Sequence, residues 1–305
     1  MFSLLPSNTQ WVLFSTMMLG IAAGMVGCLA YWKKQSLMSD ALSHAALPGV
    51  VLAFLLLGEK NLLVLICGAA VSALIGAMCI QWIQSVSRIK EDTSMGMILS
   101  VFFGLGIMLL TIANRSGGNQ SGLDGFIFGQ AASMIRKDVY IMSVLALLVI
   151  FIGIIAFKEW KIYLFDPSFA KGIGLSVKTM NAVYTFVLVL TIVIGIQAVG
   201  VILMAALLII PAISARYWAH SFRTMLLLSA LFGGVSGAGG TLVSTYGAGW
   251  PTGPFIVITS SAIFLVSMIF GAEKGMLLQF LQHRKHKRDL LVNWNIRTAE
   301  KEGER

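Results

Sequence analysis

Nine stretches of this chain, each close to the ~20 residues with which an α-helix crosses a bilayer, contain no Asp, Glu, Lys or Arg. They run over 10–32, 41–58, 61–82, 94–113, 139–157, 179–196, 200–213, 224–246 and 255–271. Lipid offers no hydrogen bonds to the backbone, so a lone segment can satisfy its own amides there only as a helix. The expectation is an all-α, polytopic integral membrane protein with about eight or nine transmembrane helices, nine by direct count. The seventh run is short, and residues 122–134 are a candidate re-entrant or surface helix, which sets the bounds at eight and ten. At 57% hydrophobic and 11% charged residues, the composition excludes an ordinary soluble domain.

In such a chain the placement of basic residues sets orientation. Assigning loops alternately to two sides puts 18 of the 22 Lys and Arg on one side, among them Lys33, Lys34, Arg88 and Lys90, and leaves 4 on the other. The richer side is expected to be cytoplasmic, with the N-terminus outside and the C-terminus inside. Residues 1–9 hold no Lys or Arg, so they lack the basic leader of a signal peptide and the first run is expected to be retained. The chain divides into a transmembrane domain, 1–272, and a charged cytoplasmic tail, 273–305. The HRKHKR stretch at 283–288 suits the inner leaflet or, less well, a soluble partner.

Between these, 114–125 reads as a polar external loop, and FDPSFAKGIGLSV at 165–177 as a short amphipathic helix on the inner surface, started by Asp-Pro and stopped by glycine. GGVSGAGG at 233–240 spaces small residues for close helix approach. Cys28, Cys67 and Cys79 form no CxxC pair and read as packing residues.

Asp40 and His44, in SDALSHAALPG at 39–49, stand four residues apart at the head of the second run and share one helix face. Ionisable groups within a hydrophobic layer usually face a cavity or a partner helix. Pro48 has no amide hydrogen for the carbonyl of His44, which leaves an oxygen beside an imidazole and a carboxylate. Residue types alone leave three readings open: a mutual contact that locks a helix interface, a proton relay, or a cation site. One Asp and one His are too few donors for a cation, since Mn²⁺ takes about six and Zn²⁺ about four. A two-fold homodimer would double them. Mixed oxygen and nitrogen donors suit Mn²⁺ or Zn²⁺ and argue against Cu(I). No P-loop, HExxH, GxSxG or strand-borne GxGxxG is present, so enzyme activity is not expected and no permanently bound cofactor is implied.

The second feature is GVILMAALLIIPAISARYWAHSFR at 200–223. Pro211 is expected to end or bend the spanning helix, leaving 212–222 as a short cytoplasmic helix with an aromatic and basic edge. That edge fits either a protein contact or an interfacial anchor.

At these points the chain resembles the membrane-spanning permease subunits of bacterial ATP-binding-cassette importers for manganese and zinc. The resemblance is carried by LMSDALSHAALPGVVLAFLL at 37–56, SRIKEDTSMGMILSVFF at 87–103, FDPSFAKGIGLSV at 165–177 and GVILMAALLIIPAISAR at 200–216. It implies a type II importer fold in a bacterial cell membrane. It also implies a homodimer of permeases, two cytoplasmic ATPase subunits, an extracellular metal-binding lipoprotein, and no nucleic acid. Asp40 and His44 would then bind the transported metal: manganese by preference, with zinc or iron as alternatives. An ATPase-independent channel or carrier is the more distant rival. The resemblance further places ATPase docking on the helix after LLIIPA, at Ala212, Ile213, Ser214, Ala215, Arg216, Tyr217, Trp218, His220 and Phe222.

Overall fold

The structure, a computed structural model, describes residues 7–57, 61–115, 134–247 and 250–273, with 129, 131, 275–277, 279 and 280 beside them. The expected loop at 114–125, the candidate re-entrant segment at 122–134 and the tail beyond 280 lie largely or wholly outside the described residues.

The elements are all helical: α1 Ser7–Trp32, α2 Ser36–Leu57, α3 Leu62–Val86, α4 Glu91–Arg115, α5 Arg136–Ile155, α6 Phe157–Phe165, α7 Pro167–Gly172, α8 Val177–Val199, α9 Val201–Arg216, α10 Phe222–Ser244 and α11 Thr252–Phe270. Eight are long and apolar enough to span a membrane, and α9 is a shorter apolar helix, so the nine runs each find a helix among the described residues. The bundle is graded. In the most apolar stretches of α1 and α8, 78% and 72% of residues are buried, against 22% in α4 and in α11. The first two form the centre and the last two the periphery.

Close backbone approach holds the centre. A Cβ on Gly20 would lie 2.1 Å from the carbonyl oxygen of Gly233, and one on Gly24 would lie 2.1 Å from that of Ser229. Ser229 Oγ donates to the Gly24 carbonyl at 2.6 Å, and the Thr16 and Thr241 hydroxyls meet at 2.8 Å. Small residues let α1 and α10 pack backbone to backbone, as the 233–240 pattern led one to expect.

The turn from α1 to α2 is tight. Lys34 sits in the left-handed region at φ 59°, its amide donates to Tyr31 O, and the Gln35 amide reaches Ala30 O. This is the glycine-type helix ending, built here with a lysine. Between α8 and α9, Gly200 at φ 95° reverses the chain, so that Met204 stacks on Gly195. The short helix expected within 165–177 is present: Asp166 caps α7 by accepting from the Phe169 amide at 2.8 Å, Pro167 occupies its first turn, and Gly174 follows at φ 86°.

Of the two outcomes expected at Pro211, the end is excluded: α9 continues through it to Arg216. And 212–222 is not one helix: 212–216 complete α9, 217–221 form a turn, and Phe222 opens α10. A proline removes one backbone bond, which a helix held on several sides tolerates.

Candidate metal site

Asp40 and His44 lie on the second and third turns of α2, about 6 and 12 Å along a helix of about 33 Å. Around Pro48, α2 is supported by α3. A Cβ on Gly49 would lie 2.1 Å from the Gly68 carbonyl, and Ser72 Oγ donates to the carbonyl of Ala45 at 2.7 Å. This crossing fixes α2 one turn past His44.

His44 Nε2 stands 3.6 Å from Asp40 Oδ1, with the side chains 14% and 37% exposed respectively. That separation is too long for a hydrogen bond. His44 Nδ1 is buried with no hydrogen-bond partner, and the ring sits edge-on to Phe103 at 4.9 Å. The nearby hydroxyls are committed elsewhere, Ser39 to the Ser36 carbonyl and Ser43 to that of Ser39. The pair therefore keeps donor atoms that no neighbour claims, which weakens the reading as a mutual lock. Among the described residues no three His, Cys, Asp or Glu come together. One chain supplies two side-chain ligands, fewer than a divalent ion takes.

At the end of the bundle where α1 stops, the residues of the expected docking helix separate into two groups. Ala212, Ser214 and Ala215 are fully buried and Phe222 nearly so; Ile213, Arg216 and Tyr217 are half-buried; Trp218 and His220 are exposed. Arg216 is turned inward, over the Trp32 ring at 5.7 Å, and donates to the Ala219 carbonyl at 2.7 Å. His220 Nδ1 meets Glu273 Oε2 at 3.1 Å. The helix that does stand out at this end is α7. Phe165, just before it, Phe169 within it and Ile173 after it are each more than half exposed. It is anchored by Phe165 against Trp32 at 4.7 Å and Phe222 at 5.9 Å.

Nothing local in the sequence marks Lys33 as a further ionisable group drawn into the fold. Lys33, counted above as a loop cation, donates to Asn181 Oδ1 and lies over the rings of Tyr184, at 4.0 Å, and Tyr163, at 5.6 Å.

Eight helices long and apolar enough to cross a membrane make this a polytopic membrane protein. The chain belongs to the ABC 3 transport family, which it matches over residues 6–271. It is 46% identical, over 92% of its length, to the manganese transport system membrane protein MntC of Bacillus subtilis, and spans 65% of that relative's length. It is 41% identical to the zinc transport system membrane protein TroC of Treponema pallidum, over 90% of this chain and 93% of that one. The solved structure of PsaBC from Streptococcus pneumoniae in complex with Fab superposes with a TM-score of 0.78 at 33% identity, covering 88% of this chain and 94% of that one.

Proposed function

We propose that this chain is the permease subunit of an ATP-driven importer of divalent metal, manganese first and zinc second, and that it works as a homodimer. The observation that carries the proposal is the uncommitted Asp40–His44 pair. Two copies supply two carboxylates and two imidazoles, a borderline-hard set suited to either ion. Half-filled ligand sets also release their ion readily, as a conduit must. The names of the relatives support both metals, the ABC family supports an ATPase partner, and the sequence resemblance implies an extracellular metal-binding lipoprotein.

In this reading the ion arrives from outside, pauses between paired Asp40 and His44, and leaves inward when the ATPases close. The N-terminus lies outside and 273–305 lies in the cytoplasm. The buried positions in 212–222 are withdrawn from the ATPase contact. We assign the contact to the exposed α7, with Trp218 and His220 exposed at the same end of the bundle, because exposed aromatic and aliphatic side chains with nearby lysines suit a protein surface.

The test is uptake of radioactive manganese into proteoliposomes holding permease and ATPase. Asp40→Ala and His44→Ala, expressed at wild-type level, should each lower ATP-dependent uptake at least tenfold. Unchanged uptake would reject the site, and uptake without ATP would favour a channel or carrier. Competition by zinc in the same vesicles ranks the two ions.

A further inference from the structure

Lys33 lies one residue beyond α1 and three before α2. A lysine at a helix end normally extends into water, but this one folds back into the protein. Its ammonium donates to Asn181 Oδ1 on α8, an oxygen that also accepts from Tyr163 Oη of α6 at 3.2 Å. It faces the Tyr184 ring at 4.0 Å and the Tyr163 ring at 5.6 Å, and Trp160 closes the box edge-on to both tyrosines, at 6.4 and 6.3 Å. An aromatic box of this kind holds a cation by its ring faces and does not hold a neutral amine in the same way. Desolvation nonetheless dominates, and lowers the Lys33 pKa from 10.5 to about 8. The charge is thus kept in a place that disfavours it.

The box joins three elements with different work in the reading above. Tyr163 and Trp160 belong to α6, which leads directly into α7. Asn181 and Tyr184 belong to the central α8. Lys33 itself is part of the rigid turn that starts α2, whose next residues are ordered by Gln35, its Nε2 3.4 Å from Glu91 Oε2. Seven residues after Lys33 comes Asp40.

We propose that Lys33 is a positioning residue that couples α6–α7 to the head of α2, so that displacement of the exposed α7 moves the Asp40–His44 pair. This rests on the transport reading above. Lys33 touches neither metal nor nucleotide; it acts by holding the α1–α2 turn to the element the ATPase would push. The titratable and charged groups facing it are Tyr163 on α6, Tyr184 on α8 and Glu91 at the head of α4.

The experiment reconstitutes full-length permease with its ATPase and measures manganese uptake and ATP hydrolysis together. For Lys33→Gln, metal moved per ATP should fall about fivefold or more, within the range of ordinary coupling energies, while hydrolysis persists. Lys33→Arg, which keeps a cation for the box, should retain most of the coupling. Asn181→Ala, which removes the shared acceptor but no charge, should fall between them. A melting temperature for Lys33→Gln at or above wild type is also expected, since a disfavoured charge is gone. Wild-type coupling in Lys33→Gln overturns the proposal, and so does a coupling loss matched by a large fall in melting temperature, which assigns Lys33 to stability alone. Spin labels at the exposed Phe169→Cys and Leu37→Cys, in a chain without its native cysteines, separate this from the metal reading. Should wild type move no metal yet show an ATP-dependent label distance that Lys33→Gln lacks, the coupling stands and the metal assignment fails.

Discussion

Burial lowers the Lys33 pKa to about 8, and the Glu91 carboxylate only partly opposes it. The unfolded chain, with an ordinary lysine at 10.5, therefore binds more proton at this residue between those two values, and the Lys33 contribution to stability rises with pH across that interval. Below pH 8 the ammonium is charged in both states and the penalty is fully present. Above about pH 10 Tyr163, whose phenol burial holds above its usual 10.0, works in the opposite sense. The thermal midpoint in detergent should thus be higher at pH 9.5 than at 7.5, and Lys33→Gln should flatten the difference; a midpoint that falls over this window refutes the assignment. At this scale Asp40 and His44 were legible and Lys33 was not. The first two announce themselves by a spacing of four at the head of one apolar run, a purely local pattern. The partners of Lys33 stand at 163, 181 and 184, and nothing near residue 33 reports them.

Among the elements, the α1–α2 turn is built on a residue that strains it. Lys34 at φ 59° occupies a position where a side chain crowds its own backbone and glycine does not. Lys34→Gly should stabilise the protein by about 1 kcal/mol, seen as a higher thermal midpoint in detergent. A midpoint unchanged or lowered would show that the turn is not held in that conformation. The helices that sequence placed well were those with local punctuation. Asp166-Pro167 starts α7 and Gly174 follows its end because capping and φ preferences act within a few residues. The reading at Pro211, an end or a bend, has the opposite origin: α9 runs on through the proline because its packing is set elsewhere in the bundle, with Met204, Leu207, Leu208 and Ala212 at 0% exposure. Tertiary contacts outweighed one lost amide, and the separate helix expected over 212–222 is divided between the end of α9, a turn and the start of α10.

For the molecule as a whole, hydropathy carried the count of apolar helices because each run must satisfy its own backbone in lipid. It carried no information on which helices are central, since α1 and α11 are comparably apolar and differ more than threefold in buried share. The proposed orientation is checked at this scale. With native cysteines removed, Tyr246→Cys, beside the exposed end of α10, should react with an impermeant maleimide on intact cells, and His220→Cys, whose parent side chain is 80% exposed, should react only after permeabilisation. The reverse pattern would invert the topology and place α7 on the wrong face for an ATPase. The pairing of α1 with α10 also bears on how the chain is made. Glycines 20, 24 and 27 have carbonyl oxygens of residues 233, 229 and 208 where any side chain would stand. Helix α1 is therefore shaped for neighbours synthesised some two hundred residues after it, and its notched face stays uncovered until they arrive. Any nascent chain halted before α10 would be left without the partner its first helix is cut to fit, a signature by which a membrane protease could tell an unfinished copy from a finished one.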